Sequence, residues 1–251
     1  MTPRQFTLKA ELPVGRAFQQ AFDGQVQKLR NAVIPLVAPH RGQPATVGSA
    51  VLLKLKDIRY LITANHVLED HPGSLHYFGS SGIVTPLTGY FTIDKALDVA
   101  VTALSTTQID ELSRYPTLSE NDIRPAPPQG NKQYAAVFGY PHTASKVLRG
   151  TTDVKTDMFS MANFVLKETD GKIFIKFDKR KNVTAGTRQQ VTAPDPYGMS
   201  GGAIFAVPVS VVSIVPGGNV RLAGIGTHWR HGQKAFQGTA IEKVLQVIER
   251  A

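Results

Sequence analysis

From Asn31 onward no stretch of this chain keeps one pattern for long. Short apolar, β-branched runs alternate with Gly, Pro and Asn punctuation. AVIPLVA, TVGSAVLLKL, YLITANHV, GIVTPLTGYFTI and ALDVAVTAL read as successive strands, with turns at 40–44 (HRGQP) and 56–59 (KDIR). Residues 116–131 then carry Pro116, Pro125, Pro127, Pro128 and Gly130, which marks a join. Strands resume at QYAAVFGYP. FSMANFVLKETDGKIFIKFD reads as a hairpin turning at Asp170-Gly171, and AIFAVPVSVVSIV and VRLAGIGTHW follow. Runs so short and so often broken exclude a helical bundle, and no strand–helix alternation suggests a parallel sheet. The expectation is an all-β chain of two six-stranded antiparallel β-barrels. Residues 1–30 form an N-terminal arm with a short helical segment at 16–30, where Phe18, Phe22 and Leu29 share a face. Residues 31–120 form the first barrel, and 121–251 the join, the second barrel and a C-terminal helix. That helix carries Ile241, Val244, Leu245 and Ile248 at helical spacing.

Composition narrows the setting. At 42% hydrophobic and 19% charged, the chain has material for a sizeable core and too little charge for disorder. It has no Cys, so disulfides, thiolate nucleophiles and Cys-based metal sites are excluded, which leans toward a reducing compartment. The N-terminal residues lack a signal-peptide layout and no run approaches membrane-spanning length, so a cytoplasmic protein without a membrane span is expected. The net charge of +9 could draw nucleic acid, an anionic membrane or an acidic protein, but it reads first as an ordinary basic surface, and nucleic acid is not an expected partner. Its densest cluster, Lys179-Arg180-Lys181, is short and has no interleaved aromatics, so it reads as a solvated loop.

Three segments carry chemistry. Leu61 to Val67 delivers His66 at the end of an apolar strand. Ala96 to Val101 embeds Asp98 among apolar neighbours, where an ionised carboxylate needs a hydrogen-bonding partner. Pro196 to Ala203 sets Ser200 between glycines, which allow a tight backbone and let N–H groups converge on one point. Singly each has a bland reading: a packed His, a turn Asp, a Gly-Ser turn. Together they supply a nucleophile, a base to take its proton and an acid to orient that base. The order His, Asp, Ser is that of one group of serine hydrolases.

TANH, LDVAV and GMSGG resemble the T-A-x-H, D-[IV]-A-[LV] and G-x-S-G-G segments of trypsin/chymotrypsin-like serine peptidases. The resemblance, over roughly 31–250, is to the Cys-free bacterial and viral branch that includes the HtrA-type proteases. It implies a serine endopeptidase acting on a protein or peptide substrate, without a cofactor or metal, and with His66, Asp98 and Ser200 catalytic. The N–H groups of Gly198 and Ser200 are then the oxyanion hole. Thr227, His228 and Trp229 should wall the primary specificity pocket, with Pro194 to Tyr197 opposite. Met199 stands where zymogen-activated members have an Asp, so that activation route is absent. Trypsin-like members hold an acid six residues before the serine. That place is Pro194 here, and neighbouring Asp195 is the candidate for selecting a basic side chain. Control by a regulatory protein partner is compatible with the sequence.

Rival readings are weaker. GMSGG fits the nucleophile elbow of α/β-hydrolases, but after Ser200 the carboxylates are Glu242 and Glu249, both beyond His228 and His231. His228-x-x-His231 lacks the Cys or nearby carboxylate of a zinc set. Asp94 is the second choice for the acid, in a polar stretch. The alternative of another class is a protease-fold module, catalytically silent or partner-activated, that binds without cutting.

Overall fold

The computed structural model describes residues 29–40, 43–79, 84–124, 133–147, 154–180, 182–183, 189–207 and 220–251. The helix read over 16–30 lies outside these residues, apart from a helical turn at 29–31. In the first half the strands are β1 (Val33–His40), β2 (Gln43–Leu55), β3 (Ile58–Thr63), β4 (His76–Phe78), β5 (Val84–Pro86), β6 (Thr92–Asp94) and β7 (Val99–Ala103). They form one antiparallel sheet in the order β5-β4-β1-β2-β3-β7-β6. In the second half, β8 (Tyr134–Gly139), β11 (Phe159–Thr169), β12 (Lys172–Lys176), β15 (Ala203–Val207), β16 (Arg221–Arg230) and β17 (Ala235–Ala240) close into a barrel. Two small ribbons, β9 (Ser145–Val147) with β10 (Val154–Thr156) and β13 (Asn182–Val183) with β14 (Gln190–Val191), complete the strands.

The chain is thus mostly β, as expected, with a closed six-stranded barrel in its second half. The first half differs: among the described residues it has seven strands, and its ends, β5 and β6, are not paired to each other. Both end strands span three residues, and Pro86 in β5 has no N–H to offer a neighbour. The Asp170-Gly171 hairpin stands as read. Thr169 pairs with Lys172, and the two turn residues have φ of 51° and 70°, the left-handed pair a tight two-residue hairpin demands. Sequence reading passed over helix α2 (Thr106–Glu111), which follows helix α1 (Asn65–Asp70). Its signal was available: Ser105 and Gln108 form a reciprocal capping box. The C-terminal helix α3 (Ile241–Ile248) buries Ile241, Val244, Val247 and Ile248.

Strand β2 shows how the halves meet. Ala50 and Leu52 face a core inside the first sheet with Ile34, Leu36 and Leu61. Val51 and Leu53 face the other way, into a second core shared with Phe138, Phe205, Leu222 and Val244 from the second half. A strand buried on both faces reads as an unbroken apolar run, as SAVLLKL nearly is. The Pro-rich join is pinned to both sides. Leu118 exchanges hydrogen bonds with Leu52 and Lys54, and Arg124 N–H donates to Leu222 O. Arg124 also makes a bidentate pair with Glu168 at 2.5 and 3.1 Å, and reaches Glu242 at 3.3 Å. Among the described residues, no helix is long and apolar enough to cross a membrane.

Candidate active site at the seam

Strand β3 ends at Thr63, and the chain turns into α1, so His66 sits on the first turn of a short helix and not on the strand. Its partner comes from the tight turn before β7. Asp98 has φ of 55°, a conformation that a short polar residue tolerates better than most. That twist aims both carboxylate oxygens at α1. Oδ1 accepts the His66 backbone N–H at 2.9 Å, and Oδ2 lies 2.7 Å from His66 Nδ1. The backbone adds a third tie, from Asn65 N–H to Asp98 O at 3.3 Å. The Asp98 side chain is 15% exposed and His66 31%. Asp94, the second choice for the acid, instead pairs with Arg250 and caps the turn through Leu97 N–H.

Burial of His66 pulls its pKa down. The hydrogen bond to Asp98, with the charges of Asp98, Asp70 and Glu69, outweighs it, so the pKa ends above its ordinary value. His228, on β16, brings a second imidazole to the same acid. Its Nδ1 lies 3.4 Å from Asp98 Oδ2, and its ring centre 5.0 Å from that of His66. Burial lowers its pKa, with Asp98 opposing and His66 reinforcing the shift.

The Ser200 loop is fixed by its backbone. Met199 N–H donates to Pro196 O, Gly201 N–H to Gly226 O, Gly202 N–H to Met199 O, and Ser49 N–H to Ser200 O. Gly201 has φ of 84°, and a Cβ there would stand 1.9 Å from Ser49 O and 2.3 Å from Thr63 Oγ1. The loop therefore rests directly on the strands that lead to His66. Tyr197 O accepts the His142 N–H at 2.7 Å. Since the N–H of a trans peptide opposes its C=O, Gly198 N–H points away from His142. The next carbonyl, Gly198 O, accepts from Ser49 Oγ at 2.9 Å, and that hydroxyl accepts Tyr140 N–H at 2.9 Å. Among the described residues, neither Gly198 N–H nor Ser200 N–H has a partner. Ser200 Oγ donates to Thr227 O at 2.9 Å and makes no hydrogen bond to His66.

Asp195 is engaged within its own surroundings: Oδ1 accepts Tyr197 N–H at 3.1 Å, and Oδ2 lies 3.3 Å from Lys179 Nζ. Trp229 packs edge-on against Phe177 and His231, with its indole nitrogen buried and unpartnered. Tyr197 is half exposed and meets His142 edge-on. The structure brings His66, Asp98 and His228 into one cluster and joins Ser200 to it through the Thr227 carbonyl. Ser49, Thr63 and His142 are the supports that sequence reasoning missed. Ser49 lies in the buried stretch 46–53 of β2, and its partners are 91 and 149 residues away, so no local pattern marks it.

This arrangement of sheets has solved counterparts. A serine endoprotease from Yersinia pestis superposes with a TM-score of 0.54 at 15% identity, over 93% of this chain and 65% of that one. The fold is chymotrypsin-like. A structure from work on the intrinsically disordered VPg protein of Sesbania mosaic virus gives a TM-score of 0.48 at 18% identity, over 84% of this chain and 87% of that one. The chain spans just under two thirds of the Yersinia pestis enzyme's length. No family model and no curated protein matches the chain.

Proposed function

We propose that this chymotrypsin-like chain is a serine endopeptidase in which Ser200 attacks, His66 is the base and Asp98 the orienting acid. The observation that carries the reading is the double grip of Asp98 on His66, through backbone N–H and Nδ1; a serine loop with two unpartnered N–H groups, anchored on β2, adds to it. With Asp98 on Nδ1, the free Nε2 is the nitrogen that accepts the serine proton. Asp98 then stabilises the imidazolium. Gly198 and Ser200 N–H groups receive the developing oxyanion, each worth about 3 kcal/mol. The imidazolium next protonates the leaving amine, and water releases the acyl group. Ser200 Oγ must first leave Thr227 O by rotation about χ1. The substrate is a peptide lying along Thr227 to Trp229. A basic side chain in the pocket has to compete with Lys179 for Asp195, so apolar side chains are favoured.

Intact mass after treatment with a fluorophosphonate tests this. One adduct on wild type, absent from Ser200→Ala and His66→Ala, is expected. Ser200→Ala should lose several powers of ten in turnover with an unchanged melting curve. The contact of Ser200 Oγ with Thr227 O favours a second reading, a module silent until a partner or substrate turns the serine. That reading predicts no adduct alone and an adduct once a peptide is added.

A further inference from the structure

We propose that His228, Asp98 and His66 form a binding site for a zinc ion, and that zinc there switches the Ser200 machinery off. One ligand atom from each residue lies within 4.8 Å of the other two. The second observation is independent of that clustering: His228 Nδ1 is buried and has no hydrogen-bond partner, although it stands 3.4 Å from Asp98 Oδ2. A nitrogen and an oxygen that share a tetrahedral zinc, at bonds of about 2.0–2.1 Å, sit about 3.3 Å apart. The His228–Asp98 edge is therefore already at ligand spacing, and His66 reaches the ion by a tilt of its ring. Two imidazole nitrogens and one carboxylate oxygen suit zinc; hard cations such as calcium and magnesium prefer oxygen alone. All three side chains retain some exposure, 31% for His66, 15% for Asp98 and 41% for His228, so an ion can enter and a water can fill the fourth position. The pairing that the sequence invites, His228 with His231, is not the set, because His231 packs against Trp229 instead.

The consequence for catalysis rests on the hydrolytic reading above; the metal site does not. Zinc on Nδ1 of His66 replaces the proton now shared with Asp98, and that proton moves to Nε2. The ring then has no lone pair to take the serine proton, and Asp98 no longer orients it. Inhibition is reversed when a chelator removes the ion.

The test is calorimetric titration of the metal-free wild-type chain with zinc chloride, alongside fluorophosphonate labelling in EDTA and in zinc. One saturable zinc per chain is expected, at least tenfold weaker in His228→Asn and in Asp98→Asn and unchanged in His231→Asn. Labelling of wild type should proceed in EDTA, stop in zinc and recover when EDTA is restored. Absence of saturable binding, or binding untouched by His228→Asn, overturns the site. Full labelling at saturating zinc overturns the switch. Melting curves show whether each variant is folded. In unmutated protein, zinc must shift the His66 and His228 ring resonances together, and shifts confined to other histidines also overturn the site. Zinc bound with no labelling in EDTA, with or without added peptide, would refute the hydrolytic reading alone, and labelling without zinc binding would refute the metal site alone.

Discussion

The two arms of the site are prepared to different degrees. On the first sheet, His66 and Asp98 are joined by side-chain and backbone hydrogen bonds, and Asp98 takes up an uncommon backbone angle to make them. At the closed barrel of the second half the Ser200 loop is as firmly held in its backbone, yet the hydroxyl it presents is turned to Thr227 O. The His66–Asp98 pair is tied at side chain and backbone, whereas the Ser200 hydroxyl is engaged with a carbonyl outside that pair. Under the proposed reading, a peptide bound along β16 would draw the hydroxyl from Thr227 O while the loop backbone stays in place.

Breaking the prepared arm should have the largest effect. Asp98→Asn should lower kcat about 10⁴-fold by favouring the wrong His66 tautomer, with a folded protein by circular dichroism. Near wild-type turnover would show that this arm is not what it is taken to be. Breaking the backbone of the other arm should cost stability before activity. Gly201→Ala forces a Cβ into Ser49 O and should destabilise by about 4 kcal/mol or more, read by denaturant unfolding. Ser49→Ala sharpens the contrast, since it cuts the one hydroxyl that joins Gly198 O to Tyr140 N. It should cost about 1–2 kcal/mol, with kcat falling more than KM changes. An effect on KM alone would separate Ser49 from the oxyanion peptide.

The smallest effect is a pH shift in metal-free buffer. His66 has a pKa above its ordinary value, so kcat/KM should rise with pH through an inflection above about 6.5. Asp70→Asn removes one of the charges that raise it and should move the inflection down by a few tenths of a unit. Stability runs the other way. A raised folded pKa means that protonated His66 stabilises the fold fully below about 6.5, and that this is lost as pH rises through the folded pKa. Comparing wild type with His66→Ala by thermal melts across that window checks the sign. A difference that grows with pH would contradict it.

Most strands, the Asp170-Gly171 hairpin and the C-terminal helix were legible because each is written in local periodicity or turn chemistry; GIVTPLTGYFTI, read as one strand, holds two short ones, β5 and β6, and residues 208–215 of AIFAVPVSVVSIV lie outside the described residues. The contact between His66 and Asp98 could be expected because each sits in a distinctive short frame. What could not be read depends on distance along the chain. Ser49 looks like a small residue in an apolar strand, and Arg124 looks like a linker residue until Glu168 and Glu242 surround it. Strand β17 (AFQGTA) has too little alternation to stand out, because all six of its residues are buried. The positive φ of Asp98 has no glycine or asparagine to announce it.

The turn that carries Asp98 is also finished late. Thr239 Oγ1 bonds Leu97 O across 142 residues of sequence, and Arg250 closes on Asp94 across 156. On a ribosome, His66 and Asp98 therefore emerge long before the residues that brace their turn. Contacts of such separation form last and slowly. A nascent chain therefore holds the turn that carries Asp98 without these two braces until its last residues have emerged.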